Sequence, residues 1–136
     1  MAEDPDRRQM RDDIFVTEAV PHDWLYPRCA MAIHHGGSGA TAASMRAGIP
    51  TVIVPFLWDQ LFWGRRADAL GVGPRPILQT ELSGARLGDA IGAALTPAMQ
   101  ERAARLGRRL HREDGIAAAV DVLERTVEAG RGALLR

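Results

Sequence analysis

Residues 30–64, AMAIHHGGSGATAASMRAGIPTVIVPFLWDQLFWG, constrain the fold of this chain more tightly than any other stretch. The apolar run at 30–33 has the length and bounding of a buried strand. It breaks at His34-His35-Gly36-Gly37-Ser38-Gly39 and passes into Ala-rich sequence that predicts a helix over about residues 40–47. Gly48 is placed to end that helix, and Pro50 keeps it from resuming. A second buried strand follows at 51–54, closed by Pro55. Strands alternating with helices imply a parallel α/β sheet.

The same order of elements carries chemistry. A glycine-rich turn between a strand and a helix presents unpaired N–H groups to an anion, with the positive end of the helix dipole behind them. Gly37, Ser38, Gly39, Ala40 and Thr41 make up that turn; an ordinary tight turn has the same composition. His35, at the strand end beside the glycines, suits donation to a diphosphate, and it equally suits a capping role at the strand end. Side chains alternate along a strand, so His34 points the other way and reads as structural. Asp59 and Gln60 lie just past the second strand, where open parallel sheets hold ligands. A carboxylate and an amide there suit sugar hydroxyls, and Asp59 also suits a helix N-cap. Together these read as an anion cradle beside a polyol reader, fit for a sugar phosphate or a nucleotide sugar.

The rest of the chain is read more coarsely. Residues 1–13 are a polar lead-in, 14–129 a single domain and 130–136 a tail. Residues 14–16 are a short strand candidate, and Asp23 is placed to cap a helical turn at 24–26. A helix from about 60 to 70 ends at Gly71. Pro74 and Pro76 push residues 73–78 to a sheet edge or an extended segment. Ser83 and Thr96-Pro97 open two further helices. A last helix carries Ile116, Val120, Leu123 and Val127 on one face. Trp24, Phe62 and Trp63 are expected in the core or at a contact, and the arginines between 102 and 112 on a solvated helix face.

Composition excludes several classes. The 17 basic and 17 acidic residues cancel, which offers nothing to nucleic acid. No apolar run is long enough to span a membrane. All the basic residues are arginine, which suggests a GC-rich bacterial genome, and the single Cys29 fits a reducing cytoplasm. No His/Cys/carboxylate cluster supports a metal, and no cofactor is expected.

Residues 34–60, HHGGSGATAASMRAGIPTVIVPFLWDQ, resemble the donor-binding signature of two-domain (GT-B type) nucleotide-sugar glycosyltransferases. Within these the chain is most similar to the sterol/lipid glucosyltransferase and bacterial macrolide glycosyltransferase branch. Residues 20–29, VPHDWLYPRC, and 71–77, GVGPRPI, resemble that branch too. The fold implied is a partial Rossmann-like parallel sheet flanked by helices, with a helical C-terminus and without the first βα units.

The resemblance assigns His35, Gly37, Ser38, Gly39, Ala40 and Thr41 to the donor diphosphate. It assigns Asp59 and Gln60 to the donor sugar, and Val20 and His22 to the nucleotide base. Ala40 stands where relatives usually carry Thr or Ser, and Trp58 and Leu61 where they often carry Gly and Pro. The implied function is binding of a UDP-sugar, foremost UDP-glucose, for hexose transfer to an acceptor hydroxyl. The acceptor domain with its catalytic base is missing, so no residue here is a catalytic candidate, and the chain alone is expected to be inactive. The alternative is a non-catalytic fragment that binds a nucleotide or a protein partner. Without the first units, the strand bearing His35 lacks a neighbour, so either residues 14–16 fill the gap or the chain self-associates or pairs with a separate acceptor-domain chain.

Overall fold

The computed structural model describes residues 13–134, with side chains up to residue 130. Two short parallel strands sit at its centre, β1 (Ala32–His34) and β2 (Thr51–Ile53), paired Ala32↔Thr51, Ile33↔Val52 and His34↔Ile53. Parallel neighbours need a long crossover, and α2 (Ser38–Ala47) supplies it. Gly48 ends α2 with φ 72°: its N–H bonds the Met45 carbonyl, and the Ile49 N–H bonds that of Ser44. This paired closure uses the left-handed conformation that glycine adopts without strain.

Alternation along β2 divides the core. Ile53 packs with Met45, Ala67, Val72 and Ala103 on one side; Val52 and Val54 pack with Ile77, Ala90 and Ala94 on the other. The first group brings α2, α3 (Gln60–Ala69) and α5 (Pro97–Leu110) to one face, and the second brings α4 (Gly84–Ala94) to the opposite one. A third cluster, Tyr26, Ala32 and Ile49, lies where α1 (His22–Leu25) and the 3-10 turn Tyr26–Arg28 meet α2. As expected, the Ser83 hydroxyl accepts from the Arg86 N–H and Pro97 opens α5. Residues 72–77 run extended beside β2, with Thr51 N–H bonding the Val72 carbonyl and Ile77 N–H that of Ile53. Pro74 and Pro76 have no N–H to complete a ladder. A side chain at Gly73 would strike the Thr51 carbonyl oxygen, so only glycine permits this approach.

Several expectations are corrected. Residues 14–16 form no strand; Ile14, Phe15 and Val16 are all exposed, and they do not cover β1. The first buried strand begins at Ala32 rather than Ala30, because Cys29 still bonds back to Tyr26 to close the preceding turn. Asp23 lies inside α1, whose N-cap is Pro21. Trp24 and Phe62 are exposed and Trp63 is half-buried, so none is a core residue. The last helix, α6 (Gly115–Leu134), runs past residue 130, where a tail was expected. Its predicted apolar face exists but stays uncovered, with Ile116, Val120, Leu123 and Val127 all exposed.

Candidate functional site

His34 shows how the end of β1 is fixed. Its Nδ1 accepts the Gly36 N–H at 3.0 Å, which leaves the proton of the neutral ring on Nε2, 2.8 Å from the Thr51 hydroxyl. Burial, helped by the nearby His35 and His22, lowers its pKa from 6.5 to about 4. His34 therefore ties β1 to β2 and is a structural group, as its parity on the strand implies.

Gly36 then folds the chain back with φ 89°. A Cβ there would lie 2.6 Å from Ile53 Cγ2 and 3.0 Å from the Gln60 carbonyl oxygen. The turn after β1 is thus pressed against the loop after β2, and the two halves of the signature meet at the carboxyl ends of the strands. His35 is exposed and turns over the loop: a Cβ at Gly37 would sit 2.5 Å from its Nε2. Gly37 is what lets the imidazole lie there.

Gly37 is the N-cap of α2, with no side chain capping it. Thr41 makes the first helical bond, to the Gly37 carbonyl. The N–H groups of Ser38, Gly39 and Ala40 come before that bond and have no partner within the helix. Ser38 is exposed, and no atom lies within 4 Å of where a Gly39 Cβ would stand, so this helix end is open to a ligand. Thr41 departs from expectation. It is fully buried, and its hydroxyl, unpartnered among the described residues, faces the interior rather than the turn's outer surface.

Asp59 is the N-cap residue of α3 but makes no capping bond with its side chain. Its Oδ2 instead accepts the Trp63 indole N–H at 3.0 Å. Gln60 Oε1 accepts the N–H groups of Phe56 and Leu57 at 2.7 and 3.0 Å and so pins the loop. Of the two side chains, Asp59 Oδ1 and the Gln60 amide NH2 remain for a ligand. The Asp59–Trp63 pairing escapes sequence reading, although the four-residue spacing at a helix start is its only signal. Trp58, just before the pair, has φ 51°, the one non-glycine with positive φ among the described residues.

Val20 is half-buried, and the carbonyl of Pro21 accepts from Trp24 and Leu25. His22 stacks on Tyr26, with centroids 4.7 Å apart and planes 7° from parallel. α1 packs on α2, and His22 lies near enough to His34 to help lower its pKa. A cleft of about 430 Å³ near Arg46, His111 and Arg112 lies at the other end of α2 and takes no part in this arrangement. Among the described residues no His, Cys, Asp and Glu side chains cluster to hold a metal, and no helix is long and apolar enough to cross a membrane.

Comparison with known proteins identifies the family. Sterol 3-beta-glucosyltransferase UGT80B1 of Arabidopsis thaliana is 44% identical over 117 residues, 86% of this chain and 19% of that protein. The sterol 3-beta-glucosyltransferase of Saccharomyces cerevisiae (strain YJM789) is 44% identical over 117 residues, 85% of this chain and 10% of its own length. The chain thus spans under a fifth of these relatives. They are plant and fungal, and lend no support to a bacterial source. Among solved structures, the glycotransferase of kitacinnamycin superposes with a TM-score of 0.79 at 26% identity, over 91% of this chain and 32% of that one. Glycosyltransferase VinC, solved in complex with DTDP, gives 0.76 at 26% identity, over 88% and 30%. The family described as erythromycin biosynthesis protein CIII-like, C-terminal domain, matches residues 1–121. The chain belongs to this family of glycosyltransferase C-terminal domains, with the mixed α/β architecture of its GT-B structural neighbours.

Proposed function

We propose that this chain binds a nucleoside diphosphate hexose, foremost UDP-glucose, and serves hexose transfer to an acceptor hydroxyl once an acceptor domain is supplied. The observation that carries the reading is the close approach of Gly36 to Ile53 and Gln60, which sets the open helix end and the acid–amide pair on one rim. The N–H groups of Ser38, Gly39 and Ala40, with the Ser38 hydroxyl and His35, take the diphosphate and stabilise it as it leaves. The Asp59 carboxylate exchanges its Trp63 partner for sugar hydroxyls, and the Gln60 amide donates beside it. The loop at Val20 and His22 holds the base. The names of the sterol 3-beta-glucosyltransferases support glucose as the sugar, while VinC with DTDP makes a thymidine donor the comparison to run. The charge of the diphosphate is met by backbone dipoles and imidazole, with no metal or cofactor in this reading. Cys29, half-buried and unpaired, suits a reducing cytoplasm.

Calorimetry with UDP, UDP-glucose and dTDP-glucose tests it. His35→Ala removes a hydrogen bond to a charged group, about 1.5–3 kcal/mol, and should weaken binding by about 10- to 100-fold. Gly39→Ala meets no protein atom, so its helix should hold or gain stability while donor affinity falls. No heat at millimolar ligand ends the donor reading. The exposed edge at Ile33 favours a second reading, a non-catalytic fragment that binds a partner. Association without any nucleotide binding would select it.

A further inference from the structure

We infer that Phe56, Leu57, Trp58 and Phe62 form the face on which an apolar acceptor rests, with Trp58 as its specificity-determining residue. The inference rests on the donor reading above, because it takes its occupant from the neighbouring sugar site.

Two features set this lobe apart from scattered surface apolar residues. Trp58 is 91% exposed while its backbone holds φ 51°, a conformation that L side chains with large substituents rarely adopt. A side chain displayed almost wholly to solvent in a strained conformation marks a site that acts on something outside the fold. The loop is also built rather than loose. Gln60 Oε1 holds the N–H groups of both Phe56 and Leu57, so the display is fixed. Phe56 is 52%, Leu57 63% and Phe62 60% exposed, and none belongs to a core cluster. The four side chains carry no charge, a composition that suits a ring system or aliphatic body.

Position selects the occupant. The lobe leads directly into Asp59 and Gln60 at the carboxyl end of β2. A hexose held by that pair must be approached by the hydroxyl that receives it. The body behind that hydroxyl then passes along residues 56–58, and an apolar body gains from the contact. The tryptophan adds selectivity for bulky apolar acceptors.

The test uses the whole chain, labelled with 15N, titrated with sodium cholate below its micelle concentration as a soluble fused-ring alcohol. Saturable shifts confined to the Trp58 indole and the amides of residues 56–62 are expected. Trp58→Gly, which relieves the positive φ and so should fold, should weaken the response at least tenfold, and Trp58→Phe should retain it within about threefold. UDP-glucose added to the same samples should shift the Ser38–Ala40 amides equally in wild type and Trp58→Gly. Equal cholate affinity in Trp58→Gly, or shifts absent or scattered, overturns the inference. So do Trp58 signals that move with protein concentration, which means a second copy, or only with phosphatidylcholine vesicles, which means a lipid surface. If cholate binds at the lobe but UDP-glucose shifts nothing, the donor reading fails on its own and the acceptor assignment falls with it.

Discussion

His34 binds its partners only as a neutral ring, which gives this chain a pH dependence of known sign. Its folded pKa lies near 4 and the ordinary value is 6.5, so the unfolded chain takes up a proton that the folded one refuses. The contribution is complete above about pH 6.5 and is lost as pH falls toward about 4. His34→Gln keeps a donor for Thr51 without a titrating ring. Urea midpoints between pH 7 and 4 should therefore fall less steeply in the variant; parallel slopes would remove His34 from the account. Strand parity was enough to mark His34 as structural from sequence. Thr41 was misread for the opposite reason: helix phase turned its hydroxyl inward, and composition alone carries no phase. The engagement of Asp59 by Trp63 and of Gln60 by its own loop depends on rotamers that no spacing rule encodes.

At the scale of elements, α2 and α5 cross where two glycines meet. A Cβ at Gly107 would stand 2.7 Å from Gly48 Cα and 2.9 Å from its nitrogen, both backbone atoms that cannot swing away. Gly107→Ala should destabilise the domain by about 1–3 kcal/mol despite alanine's better helix propensity. A thermal midpoint lowered by several degrees checks this; an unchanged or raised midpoint contradicts the crossing. Arg46 and Arg102 add support at helix ends, bonding the Leu110 and Gly71 carbonyls. Helix positions were legible because caps and glycine stops are local signals: Ser83, Pro97, Gly48 and Gly71 all sit where the sequence puts them. Residues 14–16 were not, because a strand exists only through its partner, and three apolar residues do not say whether one is in reach.

For the whole molecule, the sheet is the unfinished part. Ala32 and His34 send their bonds toward β2, through Ala32 N–H to Pro50 and Val54 N–H to the His34 carbonyl. The backbone groups of Ile33 consequently face outward, and its side chain is 47% exposed. The edge invites pairing with another strand. Ile33→Lys should reduce concentration-dependent association in sedimentation velocity while leaving nucleotide-sugar binding in place. Association unaffected by the lysine would move attention to the bare face of α6.

That outward-facing Ile33 also sets up a race in time. Closure by a segment tethered to the same molecule proceeds at a rate that dilution leaves alone, whereas capture by a sister copy grows with the square of abundance. Slow, sparse synthesis therefore favours the finished architecture, and heavy overproduction favours tangles seeded at this margin.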